Sequence, residues 1–228
     1  PVRDKLQSAL DLLCSLQNGK VILFVNHRES ATRVYDFLRQ NRLPVGLYHG
    51  GLEQIDREKA IDLLNNGTTP ILVSTDLASR GLDIDQVQAV VHYHMAPSIE
   101  SWTHRNGRTA RMGADGTIYV ITAEGENIPE YIDFDREYIP TGEKNENPIK
   151  SDVSTLHFNA GKKEKTSRGD IVGYLVNKGG LDASKIGKIV VKDHCALVAI
   201  PVNLSKQTLT AIAPHKIKNT RVKVSILR

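Results

Sequence analysis

The segment V-I-L-F-V at residues 21–25 is a continuous apolar run in which three of the five residues are β-branched. Such a run is typical of a strand buried on both faces of a parallel sheet, because a strand with one wetted face alternates apolar and polar residues. Residues 29–40 follow with apolar groups at helical spacing. The sequence therefore predicts a buried strand and then a helix.

The alternation of strand and helix patterns continues beyond this pair. Further strands are predicted at residues 44–48, 71–74, 89–93 and 117–122, and further helices at residues 4–17, 53–65 and 128–134. Strands that alternate with helices predict a parallel α/β sheet with right-handed crossovers. In such sheets ligands bind where the carboxyl ends of the strands meet, which directs attention to the loops that follow the strands.

Arginine, histidine and acidic residues collect in the loops after four strands. They are N-H-R-E-S at 26–30, H-G-G at 49–51 with Gln54 and Arg57, T-D at 75–76 with R-G-L-D at 80–83, and W-T-H-R-N-G-R-T-A-R at 102–111. A helix that starts near Gly51 would direct N–H groups at an anion. Taken singly, each residue is better explained as a turn or cap residue, and Asp76 would fit a cap for a helix starting at Leu77. Together the loops predict a site for a phosphate-rich ligand.

The last of these loops packs one histidine and three arginines into residues 104–111. Arginine presents a planar, permanently charged fork that suits phosphate oxygens. In a helix, Arg108 and Arg111 would lie on one face at i, i+3 spacing, and Arg105 and Arg108 share that spacing. A solvated basic helix is the alternative. We interpret the cluster as functional because the three other loops accompany it in order.

Composition restricts the class of protein. The 228 residues are 40% hydrophobic and 25% charged, which is typical of a globular protein with one large or two small domains. We expect no membrane partner, because no apolar run is long enough to span a bilayer and the first residues carry no secretory signal. Cys14 and Cys195 lie far apart in apolar contexts, which predicts buried thiols in the cytoplasm and neither a disulfide nor a metal site.

Charge divides the chain into two unequal parts. Residues 1–150 carry 16 Lys and Arg against 21 Asp and Glu, a net charge of −5, whereas residues 151–228 carry 14 against 5, a net charge of +9. The acidic and Asn-rich sequence before the basic part lacks apolar periodicity and reads as a linker. The predicted division is a domain at residues 1–140, a linker at 141–152 and a second domain at 153–228. The charge of the second domain suits a polyanion.

The second domain follows the order βαββαβ. Its strands are predicted at residues 155–160, 188–191, 196–200 and 222–227, and its helices at 169–177 and 204–213. This order is that of the ferredoxin-like fold and of the RNA-recognition motif (RRM). An RRM stacks bases on aromatic residues of its central strands, but position 157 is His and residues 196–200 are aliphatic. A protein-binding or purely structural module therefore stays open as an alternative.

Residues 1–140 resemble the second RecA-like lobe of DEAD-box RNA helicases. The matching motifs are V-I-L-F-V-N-H-R at 21–28, H-G-G-L-E-Q-I-D-R at 49–57, S-T-D-L-A-S-R-G-L-D-I at 74–84 and H-R-N-G-R-T-A-R at 104–111. The second motif favours the DEAD-box branch over DNA-translocating relatives. Three positions depart from the family pattern: Asn106 replaces an aliphatic residue, Ala110 a glycine and His27 a threonine.

The resemblance implies a role for each matching residue. Arg108 and Arg111 resemble the arginine fingers that reach the γ-phosphate of ATP held by the other lobe. Gly81 and Asp83 resemble the pair that faces the ATP ribose. The residues that resemble contacts to the RNA sugar-phosphate backbone are Arg28, Gly50, Arg57, Thr75 and Asp76. The residues that resemble links between the two lobes are Gln54, Arg80 and His104.

The basic domain resembles the C-terminal RNA-binding domain of DbpA-type DEAD-box helicases. The matching stretches are L-H-F-N-A-G-K-K-E-K-T-S-R-G-D-I-V-G-Y-L at 156–175 and I-G-K-I-V-V at 186–191. The resemblance implies binding to a structured hairpin of large-subunit ribosomal RNA and a role in ribosome assembly. Because the sheet lacks aromatic residues, we expect contact through loops, the first helix and the last strand. The candidates, each alone as well explained by a solvated surface, are Lys162, Lys163, Lys165, Arg168, Tyr174, Lys216, Lys218, Arg221 and Lys223.

The sequence contains neither a G-x-x-x-x-G-K-[ST] phosphate loop nor a D-E-A-D motif. We therefore expect a fragment of a monomeric ATP-dependent RNA helicase that uses ATP and Mg²⁺ only together with the missing first lobe in cis. Alone, the fragment is expected to bind neither and to be inactive as an ATPase. The alternatives are a non-enzymatic RNA-binding adaptor with a degenerate RecA-like lobe, and a DNA-dependent translocase lobe. Intact Arg108, Arg111 and Asp83 favour the enzyme over the adaptor.

Overall fold

The computed structural model describes residues 4–16, 19–79, 84, 87–109, 116–138 and 150–227. Contacts between Cα atoms divide the chain into two compact units. The first comprises residues 1–65 and 69–150, and the second comprises residues 66–68 and 151–228. The predicted linker at 141–152 falls mostly outside the described residues, so its bounds and those of the two predicted domains stay predictions.

The first unit is an α/β structure built on five parallel strands. Its strands are β1 (Lys20–Phe24), β2 (Val45–Tyr48), β3 (Ile71–Ser74), β4 (Val87–His92) and β5 (Thr117–Val120), and its described helices are α1 (Lys5–Ser15), α2 (Arg28–Gln40), α3 (Gln54–Asn65) and α4 (Ile99–Asn106). The order across the sheet is β2-β3-β1-β4-β5, and each pairing is parallel. The carboxyl ends of the strands therefore lie along one edge.

Strand β1 is buried on both faces, as its apolar run predicts. Leu23 packs on one face with Leu13 of α1 and Val34 of α2. Phe24 packs on the other face with Leu64 of α3. Complete burial of an apolar side chain of this size contributes roughly 1.5–3 kcal/mol, so the central strand fixes helices to both faces of the sheet.

The predicted closing helix at residues 128–134 is wrong. This segment contains a turn at residues 130–131 and no helix. Ile132 is buried, but Ile128 and Phe134 are 42% and 60% exposed, so the apolar residues do not share a face that a helix could bury. The Tyr131 hydroxyl instead donates to the Ala96 carbonyl at 2.7 Å, which holds the segment beside the loop after β4.

The second unit is an antiparallel sheet with the predicted order βαββαβ. Its strands are β6 (Val153–Phe158), β7 (Ile189–Val191), β8 (Ala196–Pro201) and β9 (Val224–Leu227), in the order β7-β8-β6-β9, and its helices are α5 (Arg168–Asn177) and α6 (Val202–Ile212). Leu156, Phe158 and Val198 of the central strands form one core with Ile171 of α5 and Ile212 of α6. Both helices therefore pack on the same face of the sheet.

The predicted fold class is confirmed for both parts of the chain. On the sheet face away from the helices, His157 of β6 is paired with Leu197 of β8, so the central strands carry no aromatic pair there. Within the described part of the chain, no helix combines the length and the apolar character needed to span a bilayer.

Candidate nucleotide and nucleic-acid interface

Arg105 of α4 lies where β1, β3 and β4 end, and its side chain is completely buried. Its Nε donates to the Asp76 carboxylate, and its Nη2 donates to Asn26 Oδ1 at 2.7 Å. Its Nη1 donates to the His94 carbonyl at 3.0 Å, and its guanidinium carbon lies 5.3 Å from the centre of the Phe24 ring. One arginine thus joins the loops that follow three strands.

Asp76 supplies the charge that a buried guanidinium requires. It opens a 3₁₀ helix, Asp76–Ser79, and its side chain is 35% exposed. The 3₁₀ helix starts at Asp76 itself, and the carboxylate binds Arg105. The alternative in which Asp76 is a cap for a helix starting at Leu77 stays a prediction. The predicted contact between the Asp76 backbone and RNA remains a proposal.

Asn26 and His94 extend this network. Asn26 Nδ2 donates to the Met95 carbonyl at 3.1 Å, and the Asn26 N–H donates to His94 Nδ1 at 3.2 Å. An accepting Nδ1 requires a neutral ring with its proton on Nε2. Burial, followed by the charge of Lys5, lowers the pKa of His94 to about 4, which is consistent with that form.

His92 and Asn106 form a hydrogen-bonded pair beside Arg105. His92 Nε2 lies 2.8 Å from Asn106 Oδ1, and because an amide oxygen only accepts, Nε2 carries the proton. The His92 ring also packs on Trp102, with ring centres 4.4 Å apart. Burial lowers the pKa of His92 to about 4. Asn106, the departure from the family's aliphatic residue, therefore has a polar partner on β4.

Arg28 and Gly50 lie side by side on two neighbouring loops. A methyl group at Gly50 would lie 3.3 Å from Arg28 Nη2, and one at Gly51 would lie 3.5 Å from Arg28 Cδ. His49 Nδ1 accepts from the Gly51 N–H at 3.1 Å, and burial, with the nearby charge of Arg28, lowers the pKa of His49. The Arg28 side chain is exposed and makes no hydrogen bond or ion pair with the described residues.

Thr75 follows β3 and is half-buried. Its N–H donates to the Tyr48 carbonyl at 3.3 Å, and Ser74 Oγ donates to the same carbonyl at 3.0 Å. Leu77, two residues further, lies 3.8 Å from the position of a methyl group on Gly50. The end of β3 is therefore held against the end of β2, which brings the predicted RNA-contact residues of both loops to the same edge.

Helix α3 begins at Gln54, one residue after the predicted start at residue 53 and three residues after Gly51. Arg57 Nη2 donates to Gln54 Oε1 at 2.7 Å, and Gln54 Nε2 donates to Glu58 Oε1 at 3.0 Å. Gln54 is exposed and Arg57 is half-buried. Arg57, a predicted RNA contact, and Gln54, a predicted link between lobes, thus bind each other.

Helix α4 ends at Asn106 with Gly107 as its cap, so Arg108 lies beyond the helix. The prediction that Arg105 and Arg108 share a helical face is wrong, because the helix ends before its next turn. The Arg108 N–H donates to the Arg105 carbonyl at 3.2 Å, which places Arg108 one turn from the buried network. His104 is 40% exposed, with Nδ1 4.0 Å from the Glu100 carboxylate.

Four predicted site residues lie outside the described residues: Arg80, Gly81, Asp83 and Arg111. Their assigned roles therefore remain predictions. Among the described residues, no cluster of three or more His, Cys, Asp or Glu side chains is arranged to hold a metal ion.

Sequence reasoning missed the structural role of Arg105, which it grouped with the phosphate-reaching arginines. The available signal was its spacing from Trp102. Residues three apart lie on one face of a helix, and a tryptophan marks the face that meets the sheet. Asn26 carries no comparable signal in the sequence, because a single polar side chain after a strand has many explanations.

In the second unit, four cations follow β6 on an exposed loop and at the start of α5. They are Lys162, Lys163, Lys165 and Arg168, and none of these side chains makes a hydrogen bond or ion pair with the described residues. Lys162, Lys165 and Arg168 line a cavity of about 660 Å³ together with Val190 and Val191 of β7. Three further candidates, Lys216, Arg221 and Lys223, are exposed near the C-terminal strand.

Two predicted RNA contacts of the second unit have partners within the protein. Tyr174 is only 6% exposed, and its hydroxyl donates to the Ile212 carbonyl at 2.7 Å and to the His215 carbonyl at 3.0 Å. Its ring is therefore inside the core and is not available for RNA. The Lys218 ammonium is engaged by Asp170 at 2.8 Å and by the Lys165 carbonyl at 3.1 Å.

Two family models match the chain. The helicase conserved C-terminal domain matches residues 4–113, and the DbpA RNA-binding domain matches residues 155–226. Together they cover the two parts into which the charge pattern divides the sequence.

Similar proteins match over nearly the whole chain. An ATP-dependent RNA helicase DbpA from Escherichia coli (strain K12) is 32% identical over 223 residues, which are 95% of this chain and 49% of that protein. A protein of the same name from Bacillus subtilis (strain 168) is 29% identical over 250 residues, 97% of this chain and 52% of that protein. The chain thus spans about half the length of the curated relatives it matches.

The solved structure of the yeast DEAD-box splicing factor Prp28 superposes on this chain with a TM-score of 0.51 and 25% sequence identity. The superposition covers 55% of this chain and 28% of that one.

Proposed function

We propose that this chain, which two domain models match, is the C-terminal part of a DbpA-type DEAD-box helicase, and that the protein remodels structured RNA in an ATP-dependent reaction. The observation that carries the proposal is the buried Arg105 network. By binding Asp76, Asn26 and the His94 carbonyl, Arg105 fixes three loops at one edge of the sheet. That edge presents cations and bare backbone, which is the chemistry that an RNA backbone requires.

On this edge, RNA is held through its sugar-phosphate backbone. Arg28 supplies a guanidinium beside Gly50. Because Gly50 has no side chain of its own, an RNA strand can come close to the backbone there. Thr75 and the backbone of Asp76 lie at the end of the adjacent strand, and Arg57 contributes from α3. Contacts of this kind position RNA but carry no sequence information, so this unit reads RNA without sequence preference.

ATP is shared with a first lobe that carries the phosphate loop. In this proposal Arg108 and Arg111 reach the γ-phosphate, while Gly81 and Asp83 face the ribose. Mg²⁺ and the β- and γ-phosphates are held by that other lobe, since this sequence has no phosphate loop. ATP supplies a phosphoryl group for transfer to water. The residues that join the two lobes in this proposal are Gln54, Arg80 and His104.

The second unit directs the protein to its RNA. Its net charge of +9, carried by residues 151–228, supports binding to a polyanion, and the exposed lysines that the structure describes lie on loops and helices and not on the sheet. We propose that the RNA is a structured hairpin of large-subunit ribosomal RNA and that the protein acts during ribosome assembly, as a monomer in the cytoplasm.

The contact at Arg28 is tested by RNA binding to this chain. Arg28→Gln should weaken binding to a single-stranded RNA about three- to tenfold and reduce the slope of log K against log salt by about 0.7, because one phosphate contact is lost. Fluorescence anisotropy at several KCl concentrations measures both quantities. Arg136→Gln is the matched control, since Arg136 is exposed and makes no ion pair with the described residues. Equal affinities and slopes for the two variants would exclude Arg28 as a contact.

A further inference from the structure

Lys165 and Lys218 share an uncommon backbone conformation. Their φ angles are +57° and +52°, and Arg42 is the one other non-glycine residue with positive φ in the described part of the chain. This left-handed region is unfavourable for residues with a Cβ, and strain of this kind tends to collect at functional sites. The two residues meet, because Lys218 Nζ donates to the Lys165 carbonyl at 3.1 Å.

Lys218 also forms an ion pair with Asp170 on the first turn of α5. Lys218 Nζ lies 2.8 Å from Asp170 Oδ2, and the same oxygen accepts from the Ser167 N–H at 2.8 Å and from Ser167 Oγ at 2.6 Å. The Lys218 ammonium and the Ser167 bonds lower the pKa of Asp170 to about 2. The carboxylate is therefore charged at neutral pH, and Lys218 connects the segment before β9 to the start of α5.

The loop at residues 161–167 is held from its other side as well. The Lys162 N–H donates to the Lys192 carbonyl at 2.9 Å, and the Lys163 N–H donates to the Asp193 carbonyl at 2.8 Å. Glu164 Oε1 lies 2.9 Å from His194 Nδ1. The turn between β7 and β8 therefore holds one side of the loop, and the Lys218 side chain holds the other.

The cations that point away from this framework line one cavity. Lys162, Lys165 and Arg168 surround it, and Thr166, which is buried, forms part of its wall. The loop conformation sets the spacing of these three charges. A loop that is already fixed loses less conformational entropy when it binds, so a rigid loop binds a polyanion more tightly than a mobile one.

We propose that Lys218 is a positioning residue for RNA binding, which holds loop 161–167 in shape through Asp170 and the Lys165 carbonyl and does not contact RNA itself. The ligand is the phosphate backbone of RNA, bound by Lys162, Lys165 and Arg168 at the cavity. This inference rests on the proposed function of the second unit. Lys218 is then not a phosphate contact. It fixes the position of loop 161–167, and we call this role a clamp.

A clamp and a phosphate contact differ in two measurable ways. Loss of a phosphate contact lowers the slope of log K against log salt by about 0.9 for a duplex, whereas loss of a clamp lowers affinity and leaves the slope in place. Asp170→Asn gives the second distinction. Removal of a carboxylate beside a polyanion site should raise RNA affinity on charge alone, but it should lower the affinity if the ion pair holds the loop.

The experiment uses this chain, a labelled hairpin from large-subunit ribosomal RNA and fluorescence anisotropy at several KCl concentrations. Lys218→Met and Asp170→Asn should each raise Kd about three- to tenfold with an unchanged salt slope, and Lys218→Arg should restore affinity. Amide hydrogen exchange at residues 161–167 should be faster in the first two variants. Lys206→Met, an exposed change on α6 with the same loss of charge, is the matched control. Circular dichroism establishes that each variant is folded.

The outcomes separate this inference from the proposed function. If the unmodified chain does not bind the hairpin, both fail. If it binds the hairpin and Lys218→Met has the same Kd and salt slope as Lys206→Met, only the inference about Lys218 is wrong. A salt slope reduced by about 0.9 in Lys218→Met would instead identify a direct phosphate contact, and tighter binding by Asp170→Asn would overturn the clamp as well.

Discussion

Arg105 is the residue on which the first unit's functional edge depends. A guanidinium buried without partners would be strongly unfavourable, so its position requires the acceptors on all three loops. The same requirement works in the other direction. Asp76, Asn26 and the His94 carbonyl stay in place because Arg105 binds them, and the positions of the neighbouring residues proposed to contact RNA depend on the same bonds.

Replacement of Arg105 by methionine should destabilise the first unit. Arg105→Met keeps most of the side-chain volume but leaves the Asp76 carboxylate and two further acceptors without their donor, and we expect a loss of about 3 kcal/mol in the free energy of unfolding. Urea denaturation followed by fluorescence of Trp102, the single tryptophan, measures this loss. Arg136→Met, on the exposed surface, should change stability by less than about 0.5 kcal/mol. Similar values for both variants would contradict the network.

Stability of the first unit should fall as the pH drops from about 6.5 toward 4. The folded-state pKa values of His92 and His94 are lowered to about 4 from 6.5, so the unfolded chain binds more protons in this window and acid favours unfolding. Urea midpoints measured between pH 7.5 and 4.5 check this. The double variant His92→Phe, Asn106→Leu replaces the polar pair and removes the titration of His92, while that of His94 remains. Its stability should therefore depend less steeply on pH. An unchanged profile would show that His92 is not buried in its neutral form.

At the scale of elements, the loop at residues 161–167 behaves as part of the framework of the second unit. Gly161 is the residue that allows it. A methyl group at this position would lie 2.2 Å from the Lys192 carbonyl oxygen, 2.7 Å from the Asp193 carbonyl oxygen and 2.7 Å from the Cys195 nitrogen. All three are backbone atoms and have no rotamer through which to move away.

The change Gly161→Ala should therefore push the loop off the β7–β8 turn and destabilise the second unit by about 1–3 kcal/mol. Gly173→Ala is a control with the opposite expected sign. Gly173 lies inside α5, where a methyl group meets only Asn177 Nδ2 at 3.8 Å, and alanine should stabilise the helix by about 0.5–1 kcal/mol. Thermal unfolding followed by circular dichroism compares the two variants. If Gly161→Ala left the stability of the second unit unchanged, the loop could move away from the turn without destabilising the fold.

Strands were predictable from sequence because each is a short apolar run whose burial is a local property. The apolar run at residues 21–25 predicted β1 to within one residue, and the strand order brings the polar residues after the strands to one edge of the sheet, as the parallel arrangement predicts. The end of α4 was not predictable in the same way. Arg105 and Tyr174 depend on which tertiary partners surround them. The spacing of Arg105 from Trp102 indicates a helix face but not the acceptors that bind the guanidinium, and Tyr174 carries no local signal that distinguishes a buried side chain from a ligand contact.

At the scale of the whole molecule, charge is divided unequally between the two units. Residues 151–228, with a net charge of +9, supply most of the attraction to a polyanion, because residues 1–150 have a net charge of −5. Affinity for RNA is therefore expected to depend on the second unit, and the use of ATP on the first.

The role proposed for Arg108 predicts a large effect on ATP hydrolysis and a small effect on RNA binding. In the full-length protein, Arg108→Ala should lower the kcat of RNA-stimulated ATP hydrolysis roughly 10³-fold or more, because an arginine finger stabilises charge that develops in the transition state. RNA affinity should change little, since Arg108 follows the buried network and is not among the proposed RNA contacts. Arg136→Ala should leave both quantities unchanged.

Measurement of the steady-state rate and of RNA binding on the same preparations decides between the enzyme and the adaptor. An adaptor with a degenerate RecA-like lobe would bind the hairpin without RNA-stimulated hydrolysis in the unmodified protein. A helicase would hydrolyse ATP and lose that activity in Arg108→Ala while it keeps its RNA. Hydrolysis that survives in Arg108→Ala at the unmodified rate would contradict the assignment of this arginine, because a residue that reaches the γ-phosphate cannot be removed without raising the barrier.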